Sequence, residues 1–397
     1  MRNGLSEAVK AVRDEAVALR HELHQHPEIR FEEKWTSDRI ARFLDEAGIA
    51  YTRGYAKGTG IVAEIPGGAG DGARVALRAD MDALEINEET GLPYASTIPD
   101  RMHACGHDGH MAIICGAAKV LSEMREHLRG SVRILFQPGE ELAAGASYMV
   151  NEGVMEGVDA VFGLHGWPGM RCGAVGVKSG PMMASAGDFR IEVIGKGCHA
   201  AMAYDGIDPV LAAAAITTAL QSIVTREVPA MEPAVLTVAE IHGGTTTNII
   251  PERATLRGTF RSLSEEVDKT LRAGIERVAK DVAAAHRATA EVSFGERPYP
   301  PTINDARMTD LVRKTAVELL GAAQVVDIPE PTMGAEDFAY YLREAPGSYV
   351  WLGVNPSESD PYPALHNAKY NFTDDAVPVG IELMASTAVR FLENEKF

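Results

Sequence analysis

No run of about eighteen apolar residues, the length a helix needs to cross a bilayer, occurs in this chain, and that excludes a helical membrane span. Cysteine is sparse. The four residues Cys105, Cys115, Cys172 and Cys198 include no Cys-x-x-Cys pair and do not form the dense framework of a disulfide-stapled domain. The first residues, Met-Arg-Asn-Gly-Leu-Ser-Glu, lack the apolar core of a signal peptide. The expected location is therefore the reducing cytoplasm, which keeps a thiolate available. Basic residues are also in short supply, 38 against 56 acidic, giving a net charge of −18. A field of that sign repels nucleic acid and anionic membranes, so neither is expected as a partner. Repeats and low-complexity segments are absent.

What is present has the composition of a globular protein, 46% hydrophobic and 24% charged. At 397 residues the chain is too long for one ordinary core, and two domains are expected. Its densest chemistry lies at residues 102–110, Met-His-Ala-Cys-Gly-His-Asp-Gly-His. Thiolate and imidazole suit zinc and its transition-metal neighbours. Cys105 and His107 are two apart, so an extended backbone would send both to one side. In isolation, a loop cysteine beside surface histidines would read the same way.

Three predicted strands lead to further candidates. Residues 74–78 run into Asp80-Met81-Asp82, a pair that could bind a metal, orient a ligand or simply be solvated. Residues 131–136 run into Gln137-Pro138-Gly139-Glu140-Glu141. Adjacent strand residues face opposite ways, so both glutamates enter one site only if Pro138-Gly139 turns the chain. One could then hold a metal while the other handles a proton. Residues 160–164 end at His165, a ligand or a core histidine, before Gly166-Trp167-Pro168. These clusters collect at one edge of a sheet, where open α/β folds place function.

Elsewhere, Leu5, Val9, Val12, Ala16, Leu19 and Leu23 give a helix that Pro27 stops, and His21, His24 and His26 read as exposed cations at its end. The Gly-rich residues 67–72 read as a hairpin-type turn between strands 60–66 and 74–78. A helix over 111–128 makes Cys115 a core residue. From about residue 184 the order becomes β-α-β-β-α-β, with helices capped by Asp208 and Ser264, which predicts a ferredoxin-like sandwich. Pro298-Tyr299-Pro300-Pro301 marks the return. The predicted domains are thus 1–183 with 298–397, and an insertion at 184–297.

Several segments together resemble the M20 family of metallopeptidases, in its aminoacylase, hippurate-hydrolase and auxin-conjugate-hydrolase branch. They are Arg78-Ala79-Asp80-Met81-Asp82-Ala83-Leu84, His103-Ala104-Cys105-Gly106-His107-Asp108, Phe136-Gln137-Pro138-Gly139-Glu140-Glu141 and Leu164-His165-Gly166-Trp167-Pro168. Gly243-Gly244-Thr245, Asn248-Ile249-Ile250-Pro251, Gly334-Ala335-Glu336-Asp337-Phe338 and Leu365-His366-Asn367 belong to the same set. The match runs through essentially the whole chain in order.

The resemblance implies an α/β fold: a mixed-sheet di-metal hydrolase domain carrying an inserted ferredoxin-like (βαββαβ) lid and dimerisation domain. It implies Cys105, His107, Glu141, His165 and His366 as ligands of two divalent transition-metal ions, drawn from zinc, manganese, cobalt and nickel. Glu140 becomes the general base and Asp82 the orienting carboxylate. His199 and Asn248 match residues that contact the substrate's carboxylate or the developing oxyanion. The branch usually reads His-Ala-Ala-Met-Pro-His at the lid; here it is His199-Ala200-Ala201-Met202-Ala203-Tyr204, preceded by Cys198 in place of a glycine. Tyr204 is therefore a further substrate-contact candidate. The implied activity is hydrolysis of the amide bond of N-acyl amino acids (N-acetyl, benzoyl or aryl-acyl conjugates) by a metal-activated water. Its substrate is a small molecule and its assembly a homodimer or higher homo-oligomer. A dipeptidase, a hydrolytic deaminase or deamidase, and a catalytically silent metalloprotein are the alternatives.

Overall fold

The computed structural model describes residues 2–357 and 361–393. Two compact units divide the chain: Met1–Gly180 with Ile303–Glu330 and Asp337–Phe397, and Pro181–Thr302 with Pro331–Glu336.

The first unit is built on an eight-stranded mixed sheet. Its order is Ala50–Tyr55, Gly60–Pro66, Ser131–Gln137, Arg74–Asp80, Ala160–Arg171, Gly347–Asn355, Val175–Val177 and Val325–Asp327. The four central strands, from Ser131–Gln137 to Gly347–Asn355, are mutually parallel. They read as near-continuous apolar runs because both of their faces are covered; Val75, Ala76 and Leu77 are fully buried. Strand Arg74–Asp80 is flanked on one side by Ser131–Gln137 and on the other by Ala160–Arg171. The chain passes from it to Ser131–Gln137 on one side and from there to Ala160–Arg171 on the other, a reversal that opens a crevice at the strands' C-terminal ends. Helix Arg2–Gln25 buries Leu5, Val9, Val12, Ala16, Leu19 and Leu23 in the unit's core, as their spacing predicts.

Three local expectations are corrected. Residues 67–72 do not join a hairpin, because Ser131–Gln137 lies between the two strands they connect. The glycines instead allow two loops to cross: Gly67 donates to the Gly130 carbonyl, and a Cβ at Gly67 would stand 2.2 Å from the Leu128 oxygen. Strand 160–164 does not stop at His165 but continues to Arg171, held by parallel pairing to Gly347–Asn355. Pro168 is accommodated because the register shifts opposite residues 353–355. The next helix begins at His107, not at residue 111, behind Gly106 at a left-handed φ of 87°. Cys105 and His107 are thus joined by a turn into a helix instead of an extended strand.

The second unit has strands Gly187–Ile194, Ala234–Gly243, Arg253–Ser262 and Thr289–Phe294, with helices Pro209–Arg226 and Glu265–Ala285. The sheet is antiparallel in the order Ala234–Gly243, Arg253–Ser262, Gly187–Ile194, Thr289–Phe294. Asp208 and Ser264 cap the two helices, accepting the amides of Val210 and Leu211 and of Val267. A separate core fills the space between helices and sheet, including Ile191, Leu220, Leu256 and Ile275. Among the described residues no helix is long and apolar enough to cross a membrane.

The loop crossing gives a stability prediction. Gly130 sits at φ +81° with its missing Cβ 2.0 Å from the Ala73 oxygen. Gly130→Ala should cost about 2–4 kcal/mol through overpacking and left-handed strain. The change is readable as a lowered urea midpoint; an unchanged midpoint would show that the crossing loops are free to part.

Candidate active site

The sequence-predicted ligands converge at the crevice of the first unit. Cys105, His107 and His165 form one group of potential metal donors, and Cys105, Glu141 and His366 form a second. Within each group the donor atoms lie inside 4.8 Å of one another. Cys105 is common to both. Its Sγ stands 3.3 Å from His165 Nε2, and His366 Nε2 stands 3.1 Å from Glu141 Oε1.

Backbone contacts bring these residues together. Gly106 turns the chain between Cys105 and His107. Gly139, at φ 63°, provides the turn that lets both glutamates enter the crevice. The His366 amide donates to the Ala104 carbonyl at 2.8 Å, docking the 366 loop beside Cys105. His366 itself is left-handed at φ 64°, the kind of non-glycine strain that concentrates at functional sites.

Hydrogen bonding fixes which ring nitrogens face the crevice. His107 donates Nδ1–H to the Asp82 carbonyl at 2.7 Å, and His165 donates Nδ1–H to the Gly166 carbonyl at 2.8 Å. Both Nε2 atoms are thereby turned to the donor groups, the usual arrangement of a metal-binding imidazole. His107 Nε2 is buried without a hydrogen-bond partner. Such unmatched polar atoms are costly unless something else occupies them, and a thiol, three imidazoles and a carboxylate suit a divalent transition metal. The donor set fits the group.

The electrostatics agree. Burial works against charge on His107, yet Asp80, Asp82 and Glu141 push its pKa up to about 10. Burial, followed by Glu141, Glu140 and Asp80, holds the Cys105 thiol well above its usual range. The pocket favours positive charge, and its thiol would give up its proton to solvent readily only where a cation takes the proton's place on sulfur.

Asp82 is buried and accepts the Glu140 and Glu141 amides on its two oxygens, each at 2.9 Å. Glu140 is buried too, and its carboxylate groups with the His107 imidazole and the Glu141 carboxylate. Glu33 escaped the sequence reading. It is buried, accepts the Gly139 amide at 2.9 Å and the Thr59 hydroxyl at 3.0 Å, and so holds the turn before Glu140. No motif signals it; the residue lies in an irregular stretch before a helix. His110 was visible only as part of the histidine-rich stretch, although its i+3 spacing from His107 places both on one helix face.

The substrate-contact candidates lie in the second unit. Cys198–His199 pairs with Ile249–Ile250, and the Ala200 amide donates to the Asn248 carbonyl at 3.0 Å, so His199 and Asn248 are neighbours. Both are exposed. Tyr204, 76% exposed, stands on the short helical turn Ala200–Asp205 that follows.

The M20/M25/M40 peptidase family profile matches residues 76–390. The chain belongs to this family. An N-acetyl-L-cysteine deacetylase of Bacillus subtilis is 40% identical over 380 residues, covering 96% of this chain and 89% of the relative. An IAA-amino acid hydrolase of Arabidopsis thaliana is 38% identical over 382 residues, with 96% and 86% covered. A Bacillus subtilis crystal structure, described as a dinuclear metal-binding peptidase from the M20 family, superposes with a TM-score of 0.83. It is 38% identical and covers 97% of this chain and 99% of that one.

Beneath this M20 site, one expectation fails. His24 is not an exposed end-of-helix cation but fully buried, 2.8 Å from Asp108 and 3.2 Å from Glu88. His21 and His26 are partly covered, stacked on Tyr94 and Trp35 at 3.7 and 4.0 Å. Asp108 also accepts from the buried Arg20 at 3.0 Å. Against burial, Arg20 and His24 hold Asp108 well below the usual carboxylate range. The cluster ties helix Arg2–Gln25 to the residue after His107, a tertiary link that helix periodicity does not encode.

Burial disfavours the His24 charge, but Asp108 and Glu88 outweigh it and push the pKa up to about 9. The unfolded value is about 6.5, so the stabilisation is complete below pH 6.5 and disappears as pH rises through 9. It is worth on the order of 3 kcal/mol. Wild-type protein should lose urea resistance between pH 6.5 and 9.5, and His24→Asn should lack that component. Parallel pH profiles for the two proteins would contradict the assignment.

Proposed function

We propose that this M20 hydrolase is a two-metal amidohydrolase of N-acyl amino acids, with Cys105, His107, Glu141, His165 and His366 as ligands. The observation that carries the reading is the pair of donor groups sharing Cys105. The relatives named as an N-acetyl-L-cysteine deacetylase and an IAA-amino acid hydrolase support the N-acyl amino acid class. Zinc, manganese, cobalt and nickel all suit the donor set. When bound, such cations polarise a carbonyl and lower the pKa of water toward neutrality.

The chain's own residues supply the rest. Glu140 takes the proton of the attacking water and returns it to the leaving amine as the carbon–nitrogen bond breaks. Asp82 and Glu33 fix the backbone on which Glu140 stands. We infer that the second unit, with the strand order of a ferredoxin-like sandwich, is an inserted lid and dimerisation domain. His199, Asn248 and Tyr204 are its substrate contacts. The edge strand Ala234–Gly243 exposes Val235 and Ile241, and pairing with a second copy would cover such an edge. The four free cysteines suit a cytoplasmic enzyme.

The test is a panel of N-acetyl, N-benzoyl and indole-acyl amino acids with dipeptides and simple amides. Metal-free protein should be inactive, and added manganese or zinc should restore hydrolysis of the N-acyl amino acids first. Full turnover by metal-free protein would overturn the proposal. Glu140→Gln should retain two metals while kcat falls about 10²–10⁴-fold, and Glu141→Gln should lose metal. The opposite pattern would exchange the two roles.

A further inference from the structure

Asp80 and His110 are fully buried beside the donor groups, yet neither has a part in the reaction outlined above. Together with His107 they form a third cluster of possible donors. Their atoms are already committed, however. Asp80 Oδ1 accepts from His110 Nδ1 at 2.7 Å, and Asp80 Oδ2 accepts from Arg78 at 2.7 Å. The Gly166 amide donates to His110 Nε2 at 2.8 Å. A ring nitrogen that accepts an N–H carries no proton, so the His110 proton is on Nδ1 and goes to Asp80. Nothing is left on His110 to bind a metal.

The same bonds run in sequence toward His165. Its Nδ1–H is held by the Gly166 carbonyl, the Gly166 amide is held by His110, and His110 is held by Asp80. The anchor beyond is rigid. Arg78 also donates to Gln137 and to Asp337, each at 2.8 Å, and all of these side chains are buried. The strand needs this support at that point. Pairing between Ala160–Arg171 and Arg74–Asp80 ends at Gly163, so on that side no strand partner takes the Gly166 amide. His110 occupies the partner's place. Gly166 offers no side chain of its own, and a Cβ there would stand 2.5 Å from Phe372.

We propose that Asp80 and His110 are positioning residues that aim the His165 imidazole, and so set the affinity of one metal position and not the other. The inference rests on the two-metal reading. His165 belongs only to the group of Cys105, His107 and His165, and His366 only to the group of Cys105, Glu141 and His366. Loss of the Asp80–His110 link therefore loosens the first position and leaves the second intact. Asp80→Asn acts on the same position, because Asp80 Oδ2 also lies 3.7 Å from His107 Nε2.

The experiment is titration of metal-free protein with zinc by calorimetry and by competition with a chromophoric chelator. Wild type should bind two ions per chain. His110→Ala and Asp80→Asn should each bind one ion with wild-type affinity and the other about 10–100-fold more weakly. Should His110→Ala fail to fold, His110→Asn keeps a donor for Asp80 but is too short to reach the Gly166 amide, and the same result is expected. Unchanged affinity at both positions would overturn the inference. So would an equal loss at both together with a lowered melting temperature of the metal-free protein, the mark of a merely structural role. A wild type that binds fewer than two ions would overturn the two-metal reading itself, and that result is visible before any variant is made.

Discussion

The Asp82 carboxylate accepts the successive amides of Glu140 and Glu141, one on each oxygen, while its carbonyl takes the Nδ1–H of His107. One residue at the end of a central strand thereby joins three segments that are separate in sequence. Its carboxylate turns Glu140 and Glu141 into the crevice, and its carbonyl leaves His107 Nε2 facing the same space. A carboxylate accepting two backbone amides is well satisfied despite its burial. Glu33 holds the same turn from its other end, where burial and then Asp82 push its pKa up to about 8.

Asp80, Asp82, Glu140 and Glu141 are all buried around Cys105, with Arg78 as the buried guanidinium among them. Arg78 pairs with Asp80 and with Asp337. Breaking such a buried pair from one side costs about 3–5 kcal/mol, because the other charge is left stranded. The crevice thus gathers buried carboxylates inside a rigid frame, a setting that suits a divalent cation. The Arg20–Asp108–His24 cluster does comparable work one layer down, fixing the start of helix His107–Glu123 from beneath.

Residue type and local grammar made part of this legible in the sequence. Asp208-Pro209 and Ser264 cap their helices as read, and the apolar spacing from Leu5 to Leu23 buries the face it predicts. Cys105, His107, His165 and the Glu140–Glu141 pair stood out as candidates because few other residue types chelate transition metals, whereas the choice of Glu141 over Glu140, and His366 altogether, came through resemblance alone. The supporting residues were not visible in the same way. Glu33 meets Gly139 across 106 positions, and Arg78 meets Asp337 across 259. Such contacts depend on strand order, and strand order is where the reading of residues 67–72 went astray: the Gly-rich run suited a hairpin turn as well as it suits two crossing loops. His165 was read as a strand end because Gly166 and Pro168 usually break strands. Parallel pairing with Gly347–Asn355 overrides that local preference.

The proposed two-metal site stands on Cys105 being common to both donor groups, and anomalous diffraction from crystals grown with zinc or manganese is its sharpest test. Two anomalous peaks per chain are expected. One should lie among Cys105, His107 and His165 and the other among Cys105, Glu141 and His366, with Cys105 Sγ within bonding distance of both. A single peak, or two peaks of which one leaves Cys105 untouched, would contradict it.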